Sequence, residues 1–257
     1  MKNKQLLALE KSKLFFDKNN LNNENLTLQI WDIINDENIQ TNINDVEANE
    51  LSENWSDELV GELQRQLVNY QLHLMKIGKT PEVFLSIKDL MDKIPEDGLN
   101  LLDIGCTTGY YYEVFNNFNP EKFNYKGCDY NIESIKIAKR YYSNIDFSIE
   151  DLTKLSFEDK SYDISFLSGV IEHVPDYKTG LNELCRITDK YIILHRINLT
   201  QNKTFCKQGT QYFVPVIRYT YNIKEFFDIL KSNGFEVIWE NHTVNNGKSY
   251  ILKRIEL

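Results

Sequence analysis

Residues 101–109 read Leu-Leu-Asp-Ile-Gly-Cys-Thr-Thr-Gly, an apolar run that ends in an acid and enters a glycine-bracketed turn ahead of a helical stretch. No other segment restricts the fold as much. Gly105 and Gly109 let the backbone come close to a ligand at the carboxyl end of a buried strand, where open α/β sheets bind their ligands. The charge of Asp103 repels a pyrophosphate and suits a cationic group. The Gly-x-x-x-Gly spacing also departs from the Gly-x-Gly-x-x-Gly of dinucleotide-binding turns.

Downstream, strand and helix patterns alternate. Strands are expected near 100–104, 123–129, 145–149, 162–168 and 190–195, with helices near 110–118, 131–142 and 177–187 between them. Strands joined through helices imply a parallel sheet. Asn222 and Glu225 predict a capped helix ending at Gly234, followed by an antiparallel pair at 235–241 and 248–254. About twenty-six residues, near 196–221, show no clear period; their aromatic content predicts a substrate-binding insertion.

Ahead of the sheet, Ser56 is expected to cap a helix with Leu59, Leu63 and Leu67 on one face and Gly78 at its end. Thr80 and Pro81 open another helix. Residues 17–54 read as a loosely attached arm in which Leu26–Ile34 docks as a short helix. The domain division expected is 1–78, an acidic and partly flexible extension, and 79–257, the catalytic unit.

The 257 residues carry a formal charge of −9, which argues against nucleic acid as partner, because such binding is driven by cations that displace counterions from phosphates. The first sixty residues hold twelve acids against five Lys or Arg, whereas His195–Lys224 contains no acid and carries Arg196, Lys203, Lys207, Arg218 and Lys224. That contrast predicts a local positive field suited to an anionic substrate. No run of eighteen apolar residues occurs, so no membrane insertion is expected. Scattered Cys106, Cys128, Cys185 and Cys206 read as thiols in a reducing cytoplasm.

With these residues in place, the chain resembles the class I S-adenosylmethionine-dependent methyltransferases. Their first motif, acid-x-Gly-x-Gly-x-Gly, is met by Asp103, Gly105 and Gly109, with Thr107 at the middle glycine. Asp129 stands where the family holds the ribose, Asp151 where it meets adenine, and Val170–Asp176 resembles the fourth motif. The resemblance implies a Rossmann-like fold, a mostly parallel seven-stranded sheet with helices on both faces after a helical N-terminal extension. It implies S-adenosylmethionine as cofactor, held by Asp103, Gly105, Thr107, Gly109, Asp129, Tyr130, Asp151, Leu152, Ser168 and Gly169.

Transfer to a hydroxyl gains from a general base. His173 and His195 follow the fourth and fifth strands and are the candidates. Glu172, His173 and Asp176 are not expected to bind metal, because Pro175 splays them. Residues 192–197 and 219–237 are similar to sugar O-methyltransferases of bacterial capsule and surface-polysaccharide clusters. The similarity implies a nucleotide-activated hexose or heptose, for example a GDP-heptose, with Arg196 and Arg218 on the diphosphate and Tyr212 against a ring. Another small metabolite, a protein side chain, or a binding module without chemistry are the alternatives.

Overall fold

The computed structural model describes residues 5–7, 10, 43–243 and 247–255. Its strands are β1 (Leu99–Ile104), β2 (Phe123–Asp129), β3 (Asp146–Ile149), β4 (Tyr162–Ser168), β5 (Thr188–Ile197), β6 (Leu199–Thr200), β7 (Phe205–Gln211), β8 (Val214–Asn222), β9 (Phe235–His242) and β10 (Lys248–Arg254). Seven of them form one sheet in the order β3-β2-β1-β4-β5-β10-β9. Strands β1 to β5 run parallel; β10 pairs antiparallel with both β5 and β9. The alternation predicted the parallel part, and the whole is the Rossmann-like, mostly parallel seven-stranded sheet that the resemblance implied. Strand order reverses between β1 and β4, which opens a crevice at their carboxyl ends.

Alternate residues of the same strands feed two cores, as a period of two requires. Leu101, Ile164, Phe166 and Ile193 pack on one face with Phe84, Ile87, Val114 and Phe115. Leu102, Leu167, Ile192 and Leu194 pack on the other with Leu181, Leu184, Phe226 and Leu230. Each such side chain, fully buried, contributes about 1.5–3 kcal/mol. The sheet is therefore covered on both faces and its functional edge lies at the strand ends.

The helices are α1 (Asp45–Glu53), α2 (Val60–Lys76), α3 (Glu82–Met91), α4 (Tyr111–Phe118), α5 (Ile132–Tyr141), α6 (Tyr177–Ile187) and α7 (Ile223–Ser232). Two expectations for the N-terminal part need correction. Asp45–Glu53, placed by sequence in a loose arm, is a helix closed by a capping box: the Asn44 side chain accepts from Val46 and Glu47 N–H, and Glu47 accepts from Asn44 N–H. Ser56 caps nothing; it belongs to a 3-10 turn, Asn54–Ser56, and its hydroxyl donates to Glu53 O, while Asp57 accepts from Leu59 N–H. The expected Leu26–Ile34 helix lies outside the described residues.

Helix α2 rests on α5, where Arg65 stacks over Tyr141 at 3.8 Å and donates to Tyr142 OH, and Arg140 pairs with Glu62. The division expected at residue 78 falls at a turn with Gly78 at φ 80°. Packing extends across it, since Val60 of α2 meets Val214 and Val216 of β8.

The segment near 196–221 is a hairpin rather than an irregular loop. β7 pairs antiparallel with β8 through the two-residue turn Tyr212–Phe213, and β6 adds to β8 in a small sheet. The type I′ form of such a turn requires positive φ at both positions, and Tyr212 and Phe213 have φ of 48° and 65°. Asn-Gly would have announced it; two aromatics did not. Among the described residues no helix is long and apolar enough to cross a membrane.

Candidate functional site

A cavity of about 1160 Å³ lies over the carboxyl ends of β1, β2 and β4. Gly105 and Thr107 line one side with Asp129, whose oxygens accept from Thr107 N–H at 2.9 Å and Asn131 N–H at 2.8 Å. With the Tyr130 N–H also near, the carboxylate still has acceptor capacity for a hydroxyl of a ligand. Thr107 sits at φ 49°, and the Asp129 bond to its N–H helps hold that unusual conformation. Burial pushes the Asp129 carboxyl up to about 6 against its backbone bonds. Tyr130, Asp151, Leu152, Ser168 and Gly169 continue this wall.

Asp103 and Gly109 do not line it. The Asp103 carboxylate is buried and accepts from Tyr125 OH at 2.6 Å; burial pushes it up to about 7, the Tyr125 bond opposing and the Asp129 charge adding. Gly109 serves packing: a Cβ there would stand 2.6 Å from Phe147 Cζ, and its φ is 72°. The turn thus needs both residues, but as scaffold behind the wall.

The opposite wall unites Arg196 from β5, Tyr212 and Arg218 from the hairpin, and Glu172 and His173 from the 3-10 turn Ile171–His173. β8 seats that turn. Tyr221 OH donates to Ile171 O, and His173 Nδ1 lies 2.6 Å from Ile217 O, so Nδ1 carries the proton and Nε2 is left as acceptor. Burial pushes His173 down to about 3; the Ile217 carbonyl opposes, and the Arg218 and Arg196 charges add. Asp176 is committed to capping α6 through Thr179 N–H.

His195 is fully buried beneath the cavity and absent from its lining. Ser86 donates to Val83 O, so its oxygen accepts from His195 Nε2 at 2.8 Å. Nδ1 is then the acceptor, 2.9 Å from Ser168 Oγ. Ser168 also accepts from Tyr111 OH at 2.7 Å and from Arg196, at 3.3 Å to Nε and 3.2 Å to Nη2. Both ring nitrogens are occupied, so the structure makes His195 a support under Arg196, where the sequence had offered it as a base.

Sequence reasoning missed Trp55 and Gln64, and left Glu172 outside the site. Trp55 packs against His173 with ring centres 4.6 Å apart and planes inclined at 57°, and approaches Tyr212 edge-on at 6.1 Å. Trp55 Nε1, Gln64 Oε1 and Glu172 Oε2 are buried without a hydrogen-bond partner, and all three residues line the cavity. Unpaired buried polar atoms are rare. Together with the Asp129 cradle they fit a cavity built to be filled by polar ligands, an adenosyl group on one wall and a second molecule on the other.

Comparison with known proteins agrees with this geometry. Residues 102–191 match the family model described as methyltransferase domain. The chain is 29% identical over 115 residues to demethylmenaquinone methyltransferase of Paenarthrobacter aurescens, covering 45% of this chain and 44% of that protein. It is 32% identical over 180 residues to tRNA U34 carboxymethyltransferase of Campylobacter jejuni, covering 63% of this chain and 58% of that protein. The chain thus spans about half the length of these relatives. Among solved structures, an S-adenosylmethionine-dependent methyltransferase of Methanosarcina mazei superposes with a TM-score of 0.54 at 18% identity, covering 65% and 98% of the two chains. CalS10, an amino pentose methyltransferase from Micromonospora echinaspora, gives 0.53 at 11%, covering 67% and 90%.

Proposed function

Residues 102–191 match the methyltransferase-domain family model, and on that premise we propose that the protein is a class I S-adenosylmethionine-dependent enzyme that methylates a hydroxyl of an anionic, nucleotide-activated sugar, a hexose or heptose. One observation carries the reading: two arginines from different strands, Arg196 and Arg218, enter the same cavity as the Asp129 cradle. A cavity of about 1160 Å³ exceeds what a single small ligand usually fills, about 300–1,000 Å³.

Asp129 would hold the ribose hydroxyls, Asp151, Tyr130 and Leu152 the base, and Gly105, Thr107, Ser168 and Gly169 the methionine end. When bound, S-adenosylmethionine supplies an electrophilic methyl group whose leaving group needs no acid. Arg196 and Arg218 bind the diphosphate in charge-assisted bonds. Tyr212 and Trp55 offer ring faces to sugar or base. Helix α1 and its turn roof the cavity through Tyr130 OH to Ser52 O and Asn131 Nδ2 to Trp55 O, which excludes water. His173 keeps an acceptor at Nε2 and orients the hydroxyl.

A second reading follows from the Campylobacter relative, whose name assigns it carboxymethyl transfer to tRNA; a buried guanidinium such as Arg196 would also suit the carboxylate of such a group. The charge of −9 opposes a tRNA substrate. S-adenosylmethionine and its analogue carboxylated on the transferable methyl, each labelled at that carbon and offered with a panel of sugar nucleotides, free sugars and tRNA, decide between them. Label in a sugar nucleotide is expected. Label confined to tRNA overturns the sugar reading.

A further inference from the structure

Glu172 lines the cavity, and its Oε2 is buried without a partner. A Cβ built on Gly169 would lie 2.9 Å from Arg196 Nη2 and 3.5 Å from Glu172 Oε1, so guanidinium and carboxylate converge over one glycine. They feel each other's charge yet form no ion pair. Arg196 is kept from collapsing onto the carboxylate because it donates to Ser168, which is itself fixed by His195 and Tyr111. A carboxylate oxygen closed off from water and left without a donor is costly. A carboxylate that holds such an oxygen is the more ready to take up a proton.

The charges decide which neighbour takes a proton. Protonating His173 would add a third positive charge beside Arg196 and Arg218, whereas protonating Glu172 relieves the burial of a negative charge, which outweighs its own backbone bond and the two arginine charges. We propose that Glu172 is the catalytic base, its carboxylate accepting the proton of the acceptor hydroxyl while Arg196 holds an anionic group on the same acceptor. This assignment rests on the O-methylation reading. As the proton passes to the Glu172 carboxylate, the electron pair of the broken O–H bond forms the new O–C bond. The pair of the C–S bond stays on sulfur, leaving a neutral thioether, a methyl ether and a neutral Glu172. Water takes the proton from Glu172 once the product leaves.

The test compares the parent with Glu172→Gln and His173→Gln, on whichever acceptor the panel identifies. Glu172→Gln should lower kcat about a hundredfold or more, the usual worth of a general base. Calorimetric affinity for S-adenosylhomocysteine and KM for the acceptor should stay near parent values. The groups facing Glu172 are Arg196 on β5, Arg218 and Tyr221 on β8, and His173 on its own turn. The arginines stay charged and Tyr221 neutral across the acid range, so the rise of kcat with pH should belong to Glu172. That limb should vanish in Glu172→Gln and persist, at a lower rate, in His173→Gln. Infrared difference spectra, independent of turnover, should show a carboxyl band in the parent that titrates above the ordinary glutamate range and is missing from Glu172→Gln.

Parent-like kcat in Glu172→Gln, or loss of the limb in His173→Gln alone, overturns the assignment while the O-methylation reading stands. A parent that methylates no hydroxyl acceptor overturns both. If Glu172→Gln does not fold, Glu172→Asp decides: a folded variant with its carboxylate drawn back should lose about tenfold or more in kcat and keep the limb, and parent-like kcat rejects the base.

Discussion

Ser168 Oγ stands 2.9 Å from Nδ1 of His195, at the centre of a chain that runs from Ser86 under the sheet edge to Arg196 in the cavity. Its proton order is set at one end by Val83 O, which takes the Ser86 hydroxyl hydrogen at 2.9 Å. His195 is therefore a positioning residue. His195→Phe leaves Ser168 without its acceptor, and loss of buried hydrogen bonds should cost about 1–3 kcal/mol in urea unfolding. Arg196 also loses its anchor, so KM for a sugar nucleotide should rise more than KM for the free sugar. A purely structural role would move both alike.

Asp103 makes stability depend on pH in a specific direction. Its folded pKa, pushed up to about 7 by burial, lies above the ordinary 3.8, so the native state binds a proton that the unfolded chain has released. The stability it contributes is complete below 3.8 and is lost as pH rises through about 7. Asp103→Asn removes that loss. The difference in unfolding midpoint, variant minus parent, should climb between pH 4 and pH 8; a flat difference would reject the burial argument.

The two buried histidines pull the other way. Folded His173, pushed down to about 3, and His195, pushed well below 6.5, stay neutral where the unfolded chain is protonated. Their contribution is present above about 6.5 and falls away as pH drops towards the folded values. His173→Gln should therefore unfold with a shallower loss of stability between pH 6 and pH 4 than the parent, as chemical denaturation across that range would show.

Asn131 does two tasks with one amide. Its Oδ1 caps α5 by accepting from Glu133 and Ser134 N–H, and its Nδ2 donates to Trp55 O in the roof. Asn131→Asp keeps the cap and loses the donor. The new carboxylate oxygen faces Trp55 O and Asp57 O without a donor, so stability should fall by about 1–3 kcal/mol, and S-adenosylhomocysteine should leave the cavity several times faster in stopped flow. Asn131→Ala should lose both, with about 1–2 kcal/mol of stability.

Arg196 and Arg218 should set preference for charge. Each lost charge-assisted contact costs about 1.5–3 kcal/mol, chiefly in KM where the contact is equal in ground and transition states. Preference for a sugar nucleotide over the free sugar should shrink in Arg196→Ala and in Arg218→Ala. Equal preference in parent and both variants would leave the hairpin without a role in recognition.

The local pattern around residues 101–109, the alternation of strand and helix, and the acid at the end of β2 are properties of short stretches of chain. Periodicity and turn chemistry determine them wherever they occur, so sheet, crevice and Asp129 cradle were legible in the sequence. Direction of a side chain is not local. Asp103 and Gly109 belong to the same motif as Gly105 but turn to Tyr125 and Phe147, because strand and helix packing leave them no route to the cavity. His195 carries the residue type of a base, and only its enclosure by Ser86 and Ser168 removes it from that role. The hairpin at 205–222 hides behind a turn of two aromatics held at positive φ by contacts with the N-terminal segment. Trp55, Gln64, Glu172 and Arg218 are far apart along the chain, and no pattern within any one of those stretches encodes their meeting. Tertiary packing alone brings them to one cavity, because burial, not sequence spacing, decides which polar atoms must wait for a ligand.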